Sequence, residues 1–333
     1  MSAPGQRCKI IFHGVNAGAF ANGFEELLKA KADITVVPDE FTTDAERRAY
    51  ASADVVVSFL FNRKLPRPEH LLLLQIPGAG FDSIEFDALP PSTVVCNCFE
   101  HEQAIAEYVL AALLVRQIPI FESDRLLRTG DWGYRGGPAA TIHGELFGKT
   151  IGVVGFGHIG RAVAERARVF GMTVHVANRS RVEESSPVDR YFPLNDLKAF
   201  FGAVDFAVMT LPLTPETRGL VGQDAFAAMR PSTVVVNVGR GHVIDEKAFY
   251  DALKSKRIAG AVIDTWYNYP TAASPAVFPS VFPFHELPNV VMTPHMSGWT
   301  GGTVRRRQLV IAENIERRLN NQPCINVVHA SRG

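Results

Sequence analysis

The sequence predicts an α/β protein built from two doubly wound parallel-sheet domains. Short, nearly uncharged apolar runs alternate with segments of helical spacing, the alternation occurs twice along the chain, and the second series opens on a glycine-rich turn between a strand and a helix. Uncharged runs too short for helices suit a parallel sheet covered on both faces. In the first hundred residues the runs at 8–12, 34–37, 55–60, 71–76 and 94–96 read as strands, and 23–31 and 44–53 have helical spacing. A long helical pattern follows over 102–128, with Ala106, Val109, Leu110, Leu113 and Leu114 along one stripe, ending near Gly130. The second series starts at Thr150. Its strands are expected at 151–154, 173–176, 206–210, 234–238, 260–264 and 290–293, the number in a full dinucleotide-binding sheet. A last helix over 304–320 leads to a short tail.

The 333 residues are more than one core usually holds. A chain of this size buries roughly three quarters of its unfolded surface, so it needs no metal or disulfide staple. Its 47% hydrophobic and 20% charged residues exclude a largely disordered chain. Lys plus Arg equals Asp plus Glu at 34 each, which gives no reason to expect nucleic acid or an anionic membrane as a partner. Cys96 and Cys98 form a pair with no second pair at zinc-site spacing, so no metal site is expected, and the two read as half-buried thiols. Ile10-Ile11-Phe12 is too short for a signal-peptide core and no apolar run approaches ~20 residues. A reducing cytoplasm is the expected compartment.

The loop Gly155-Phe156-Gly157-His158-Ile159-Gly160 follows an apolar strand and opens an amphipathic helix over 161–170. G-x-G-x-x-G alone carries little information; the strand–turn–helix setting gives it meaning. Gly155 permits the tight turn, Gly157 lets backbone approach a pyrophosphate, and Gly160 lets helix and strand pack closely, while the helix N-terminus presents amides and positive dipole to the phosphates. NAD binders place a carboxylate about 20 residues beyond the loop, for the ribose hydroxyls. Here the place holds Asn178, followed by Arg179, Ser180 and Arg181. A carboxylate would repel a 2′-phosphate, whereas guanidinium groups pair with one, so NADP(H) is favoured with NAD still possible.

Arg240 stands between two glycines after an apolar strand, and His295 follows the last strand and a proline. Both therefore lie at carboxyl ends of strands, where open α/β sheets bind ligands. A guanidinium there can pair with a carboxylate and polarise a carbonyl, and an imidazole can protonate a nascent alkoxide. The small residues of Pro77-Gly78-Ala79-Gly80-Phe81-Asp82 expose backbone amides that would suit an anionic oxygen.

Taken with Glu145-Leu146-Phe147-Gly148-Lys149-Thr150-Ile151-Gly152, Leu211-Pro212-Leu213-Thr214, Asn237-Val238-Gly239-Arg240-Gly241 and Thr293-Pro294-His295, these motifs resemble the D-isomer-specific 2-hydroxyacid dehydrogenases nearly end to end. The resemblance implies two Rossmann-like domains with a cleft between them: a flavodoxin-like substrate domain of 1–100 plus 303–333, and a dinucleotide-binding domain of 101–302, usually in a homodimer. It assigns substrate carboxylate binding to Arg240 and to Gly78, Ala79 and Gly80, and acid–base catalysis to His295. Asp264 would hydrogen-bond the nicotinamide carboxamide, and Leu211, Pro212, Thr217, Val238 and Gly239 would join Arg240 and His295 around the cofactor.

Two departures stand out. Most members of the family carry a Glu that pairs with the catalytic His, but in Asp264-Thr265-Trp266-Tyr267-Asn268-Tyr269-Pro270 its place holds Tyr269. Without that carboxylate, His295 is expected to stay protonated over a narrower pH range. Formate dehydrogenases of the same superfamily also lack the Glu, use Gln, and share Thr293-Pro294-His295 with Ser297-Gly298. In Glu100-His101-Glu102, His101 stands where many relatives have Asn near the substrate; it is either a substrate-side group or part of a solvated helix start. Trp266, Tyr267, Tyr269 and Trp299 either shape a substrate pocket or pack the insertion over 269–288. The expected activity is NADPH-linked reduction of a small 2-keto acid such as glyoxylate or hydroxypyruvate. The rivals are formate oxidation and, from another class, dinucleotide sensing without turnover.

Overall fold

The computed structural model describes residues 7–271 and 274–330. The chain divides into two units, one of Met1–Glu100 with Trp299–Gly333 and one of His101–Gly298. The return to the first unit thus comes at Trp299, ahead of the last helix, rather than at 303.

The first unit holds β1 (Cys8–His13), β2 (Ala32–Val37), β3 (Val55–Ser58), β4 (Leu73–Gln75), β5 (Val94–Cys96) and β13 (Val327–His329), in the order β13-β5-β4-β3-β1-β2. All pairings are parallel except that of β13 with β5. Alternate strand residues feed opposite faces, as a period of two requires. Ile10, Phe12, Val55, Val57 and Leu73 pack with Phe20, Phe24, Ile311 and Ile315, while Ile11, Val56, Leu74 and Val95 pack with Tyr50, Leu71 and Ile76. The helices are α1 (Val15–Gly18), α2 (Asp44–Ala51) and α9 (Gly301–Leu319). Cys96 and Cys98 are fully buried in this double-faced core, rather than half-buried.

Residues 23–31 do not form the expected helix; a single 3-10 turn, Glu25–Leu27, is found there. The Lys29 and Ala30 amides donate to the Glu316 carboxylate of α9 at 2.7 and 2.8 Å, so a distant side chain satisfies backbone that a helix would otherwise satisfy. The tail also differs, because β13 adds an antiparallel edge strand.

Among the described residues the second unit carries seven strands where six were expected: β6 (Thr150–Val154), β7 (Thr173–Asn178), β8 (Arg190–Pro193), β9 (Phe206–Met209), β10 (Val234–Asn237), β11 (Gly260–Ile263) and β12 (Val290–Met292). Their order, β12-β11-β10-β9-β6-β7-β8, reverses direction at β6, which is the doubly wound pattern. The additional β8 is a short edge strand; only Phe192 is buried, and Arg190 and Pro193 give it no apolar signature. The helices are α3 (Glu102–Gln117), α4 (Ile120–Leu127), α5 (His158–Val169), α6 (Leu197–Gly202), α7 (Gln223–Ala228) and α8 (Glu246–Lys254). The 102–128 pattern is thus two helices, bent by 54° at a break holding Pro119, whose missing N–H and ring end a continuous helix there. Ala106, Val109, Leu110 and Leu113 of α3 pack against Ala162, Val163 and Ala167 of α5. No single helix among the described residues is long and apolar enough to cross a membrane.

Helix α2 begins in a capping box, with Thr43 Oγ1 accepting the Glu46 amide at 3.2 Å and the Glu46 carboxylate accepting the Thr43 amide at 2.9 Å. Thr43→Ala is expected to cost about 1 kcal/mol of stability in urea unfolding, with the m-value unchanged.

Candidate active site

The dinucleotide loop is shaped by two contacts that only glycine allows. Gly155 has φ +98°, and a side chain at Gly160 would run into the Gly155 carbonyl oxygen where α5 crosses β6. Thr210 Oγ1, at the end of β9, donates to that same carbonyl at 2.7 Å. Beside Gly157 nothing lies within 4 Å of a built Cβ, so its backbone faces open space at the start of α5. Phe156 is buried under the Arg161 guanidinium, 4.6 Å from the ring centre; Ile159 is half-buried and His158 exposed.

Asn178 is engaged at both ends of its carboxamide. Its Oδ1 accepts the Phe156 amide at 3.2 Å, and its Nδ2 donates to the Ser180 carbonyl at 2.9 Å. The residue therefore ties the turn after β7 to the glycine loop. Tyr191 Oη adds a bond to the Asn178 carbonyl at 3.2 Å. Arg179, Ser180 and Arg181 are exposed.

The loops after β9 and β10 meet backbone to backbone. Leu211 is buried against the glycine turn, and Pro212 is held by Thr217, whose Oγ1 donates to the Pro212 carbonyl at 2.7 Å. A side chain at Gly239 would reach 2.8 Å from the Leu211 carbonyl oxygen, and one at Gly241 would strike the Trp266 backbone. Arg240, after the buried Val238, thus sits between two positions without room for side chains. Asn237 fixes it further, with Oδ1 accepting the Gly239 amide and Nδ2 donating to the Arg240 carbonyl, both at 3.2 Å.

His295 stands in the most constrained loop of the unit. Asp264, fully buried at the end of β11, accepts from Thr293 Oγ1 at 2.6 Å and from the Met296 amide at 2.9 Å with Oδ1, and from the Ser297 amide at 3.0 Å with Oδ2. Tyr108 Oη lies 2.7 Å from Thr293 Oγ1; with the threonine hydrogen given to Asp264, the tyrosine is the donor. Trp266 Nε1 donates to the Thr293 carbonyl at 2.8 Å. Between these anchors His295 has φ +57°, a left-handed conformation that the surrounding bonds impose. Tyr269 Oη lies 3.0 Å from His295 Nδ1 and accepts the Trp266 amide at 3.0 Å. Removal of water around the ring pushes the His295 pKa down; Asp264 opposes this and Arg240 adds to it.

Asp264, Arg240, Tyr269 and His295 thus gather in the second unit. Gly78, Ala79, Gly80 and Trp299 belong to the first, where Gly78 gives room to the Phe59 ring, Asn97 Nδ2 donates to the Ala79 carbonyl at 2.8 Å, and Trp299 packs edge-on against Phe20. The reading of a solvated helix start at His101 does not hold: the His101 and Glu102 side chains are only 14% and 13% exposed, 3.8 Å apart. The aromatics divide. Trp266 is buried against Phe284, and Tyr267 donates to the Ile244 carbonyl at 3.2 Å, so both pack the unit, whereas Tyr269 and Trp299 are 44% and 47% exposed. Tyr108 and Thr210 were not singled out from the sequence; each acts through polar bonds that periodicity does not register.

Residues 109–297 match the family described as D-isomer specific 2-hydroxyacid dehydrogenase, NAD binding domain. A glyoxylate reductase of Thermococcus kodakarensis is 30% identical over 305 residues, covering 88% of this chain and 89% of the relative. A D-3-phosphoglycerate dehydrogenase of Methanocaldococcus jannaschii is 31% identical over 270 residues; the match takes in 80% of this chain but spans only 49% of that relative. Among solved structures, an acyclic imino acid reductase (Bsp5) in complex with NADPH and D-Arg superposes with a TM-score of 0.76 at 26% identity, covering 96% of this chain and 99% of that one. The chain belongs to the D-isomer-specific 2-hydroxyacid dehydrogenase family, and is an oxidoreductase with an NAD-binding domain.

Proposed function

We propose that the chain is an NADP(H)-dependent reductase of small 2-keto acids, of the glyoxylate or hydroxypyruvate kind, with His295 as general acid and base. The observation that carries this reading is the fixed placement of His295, held by the Asp264 loop in the unit that also carries Arg240 and the glycine turn. The Gly157 backbone and the first turn of α5 would take the pyrophosphate, and the exposed Arg179 and Arg181 would take a 2′-phosphate. Leu211, Pro212, Thr217, Val238 and Gly239 would support the rest of the cofactor, and Asp264 its carboxamide. The cofactor, when bound, supplies the hydride. Arg240 would pair with the substrate carboxylate and polarise the adjacent carbonyl; the amides of Gly78, Ala79 and Gly80 are the further carboxylate site of this reading, with His101, Tyr269 and Trp299 near the substrate. Formate oxidation fits less well, because Asn178 and Arg179 favour a phosphorylated ribose and Tyr269 replaces the Gln. Pure dinucleotide sensing would not need a strained His295.

A homodimer is part of the same proposal. Ile120, Phe121, Leu127, Trp132, Ile142 and Phe147, all in the second unit, are at least half exposed, and a second copy of the chain is the partner that would cover them.

NADPH oxidation with glyoxylate and hydroxypyruvate should be measurable, and His295→Ala should lower kcat roughly 10²–10⁴-fold. Arg240→Ala should raise KM and lower kcat together; full activity in either variant would contradict the assignment. Arg179→Ser with Arg181→Ser should raise KM for NADPH at least about tenfold while leaving that for NADH nearly unchanged. Gly160→Ala, which pushes α5 off β6, should abolish NADPH binding in fluorescence titration; unaltered affinity would mean that the turn binds nothing.

A further inference from the structure

The hydroxyl of Tyr269 occupies the place of a carboxylate, yet its chemistry is opposite in one respect. A carboxylate only accepts hydrogen bonds, whereas a phenol has one hydrogen to give. The Trp266 amide at 3.0 Å can only donate, so Tyr269 Oη accepts from it. Among the described residues, the acceptor that the phenol hydrogen meets is the His295 Nδ1 lone pair at 3.0 Å, with the two rings tilted 51° and their centres 5.6 Å apart. With the phenol hydrogen given to Nδ1, the imidazole is neutral and carries its own hydrogen on Nε2. Nε2 makes no hydrogen bond among the described residues and is the nitrogen left for a substrate.

We propose that Tyr269 is a positioning residue that fixes His295 as the Nε2–H tautomer and passes its own proton through the ring to the substrate oxygen. The proposal rests on the reductase reading above. In the step, hydride reaches the carbonyl carbon and the carbonyl oxygen takes the Nε2 hydrogen. The Nε2–H and Tyr269 O–H bonds break, and the O–H bond of the product and the Nδ1–H bond of the ring form. A hydroxy acid, a phenolate and a neutral imidazole remain. The phenolate recovers its proton from water, to which Tyr269 is 44% exposed. The transfer runs downhill because an alkoxide is a stronger base than a phenolate. Arg240 stabilises that phenolate and Asp264 opposes it, and burial holds the hydroxyl above its ordinary pKa. The charged groups facing the pair are therefore Asp264 from the end of β11 and Arg240 from the loop after β10.

The pH dependence separates this route from donation by an imidazolium. With its pKa held below 6.5, an imidazolium acid is fully present only in acid and is lost as pH rises through that pKa. A relay from a neutral pair does not need it. In the wild type, kcat/KM for glyoxylate with saturating NADPH should stay level from about pH 7 to 9, above the ordinary His titration and below the ordinary Tyr one. Tyr269→Phe should fall above its imidazolium pKa, to at least about thirtyfold below its acid plateau at pH 8, and Tyr269→Glu should move that limb back toward alkaline pH. Superimposable profiles for wild type and Tyr269→Phe would overturn the relay. The ¹⁵N shifts of the His295 ring near neutral pH give a readout free of turnover. The Nε2–H form is expected in the wild type and its bias lost in Tyr269→Phe; the Nδ1–H form in the wild type would overturn the proposal. Nε2–H without reduction of any keto acid would sink the reductase reading and leave the hydrogen-bond polarity standing.

Discussion

The Asp264 carboxylate is the constraint on which the loop carrying His295 depends. It is fully buried at the end of β11, and it remains so because three donors from one short loop converge on it. A buried carboxylate without partners would cost several kcal/mol, while each hydrogen bond to a charged acceptor contributes about 1.5–3 kcal/mol. The loop therefore has little choice of conformation. Met296 and Ser297 must aim their amides at one point, and His295, just before them, takes up the turn in the left-handed region. The ring is thereby directed by backbone geometry before its own side-chain bond to Tyr269 is made.

The rest of the second unit follows a similar economy of space. The ends of β6, β9, β10 and β11 come close enough that Gly155, Gly160, Gly239 and Gly241 cannot carry side chains against their neighbours. Where Arg240 stands between two of these, its position is set by the backbone contacts of the residues on either side. The same closeness lets Thr210 bond to Gly155 and Asn178 to Phe156, so the cofactor turn is braced from two strands. The Asn178 bond also shows why a carboxamide serves here: one end accepts and the other donates, which a carboxylate cannot do.

Much of this was legible in the sequence because it resides in local chemistry. Glycines at fixed offsets, apolar runs and a His after Thr-Pro each mark a backbone need that the nearest neighbours impose. Other features depend on distant partners and leave no local trace. Residues 23–31 have helical spacing, but Glu316 takes up their amides. Strand β8 has a single buried residue, and β13 is a strand only because β5 offers an edge. The helical spacing over 102–128 continues past Pro119, yet that residue divides it into two helices. The replacement of the family Glu by Tyr269 was visible too. Its meaning was not, because the polarity of the hydroxyl is decided by the Trp266 amide, which no spacing rule connects to it.

Asp264 holds the His295 loop in its left-handed turn. This hold is tested most directly by amide hydrogen exchange at Met296 and Ser297 in Asp264→Asn, compared with the wild type. Asparagine has one acceptor oxygen, and its NH₂ would face an amide or the Thr293 hydroxyl, so at least one donor loses its partner. Exchange at both amides is expected to be faster by about tenfold or more, confined to the 293–297 loop, together with global destabilisation of about 1–3 kcal/mol. Unchanged protection at both amides would contradict it, and would mean that the loop keeps its shape without the carboxylate.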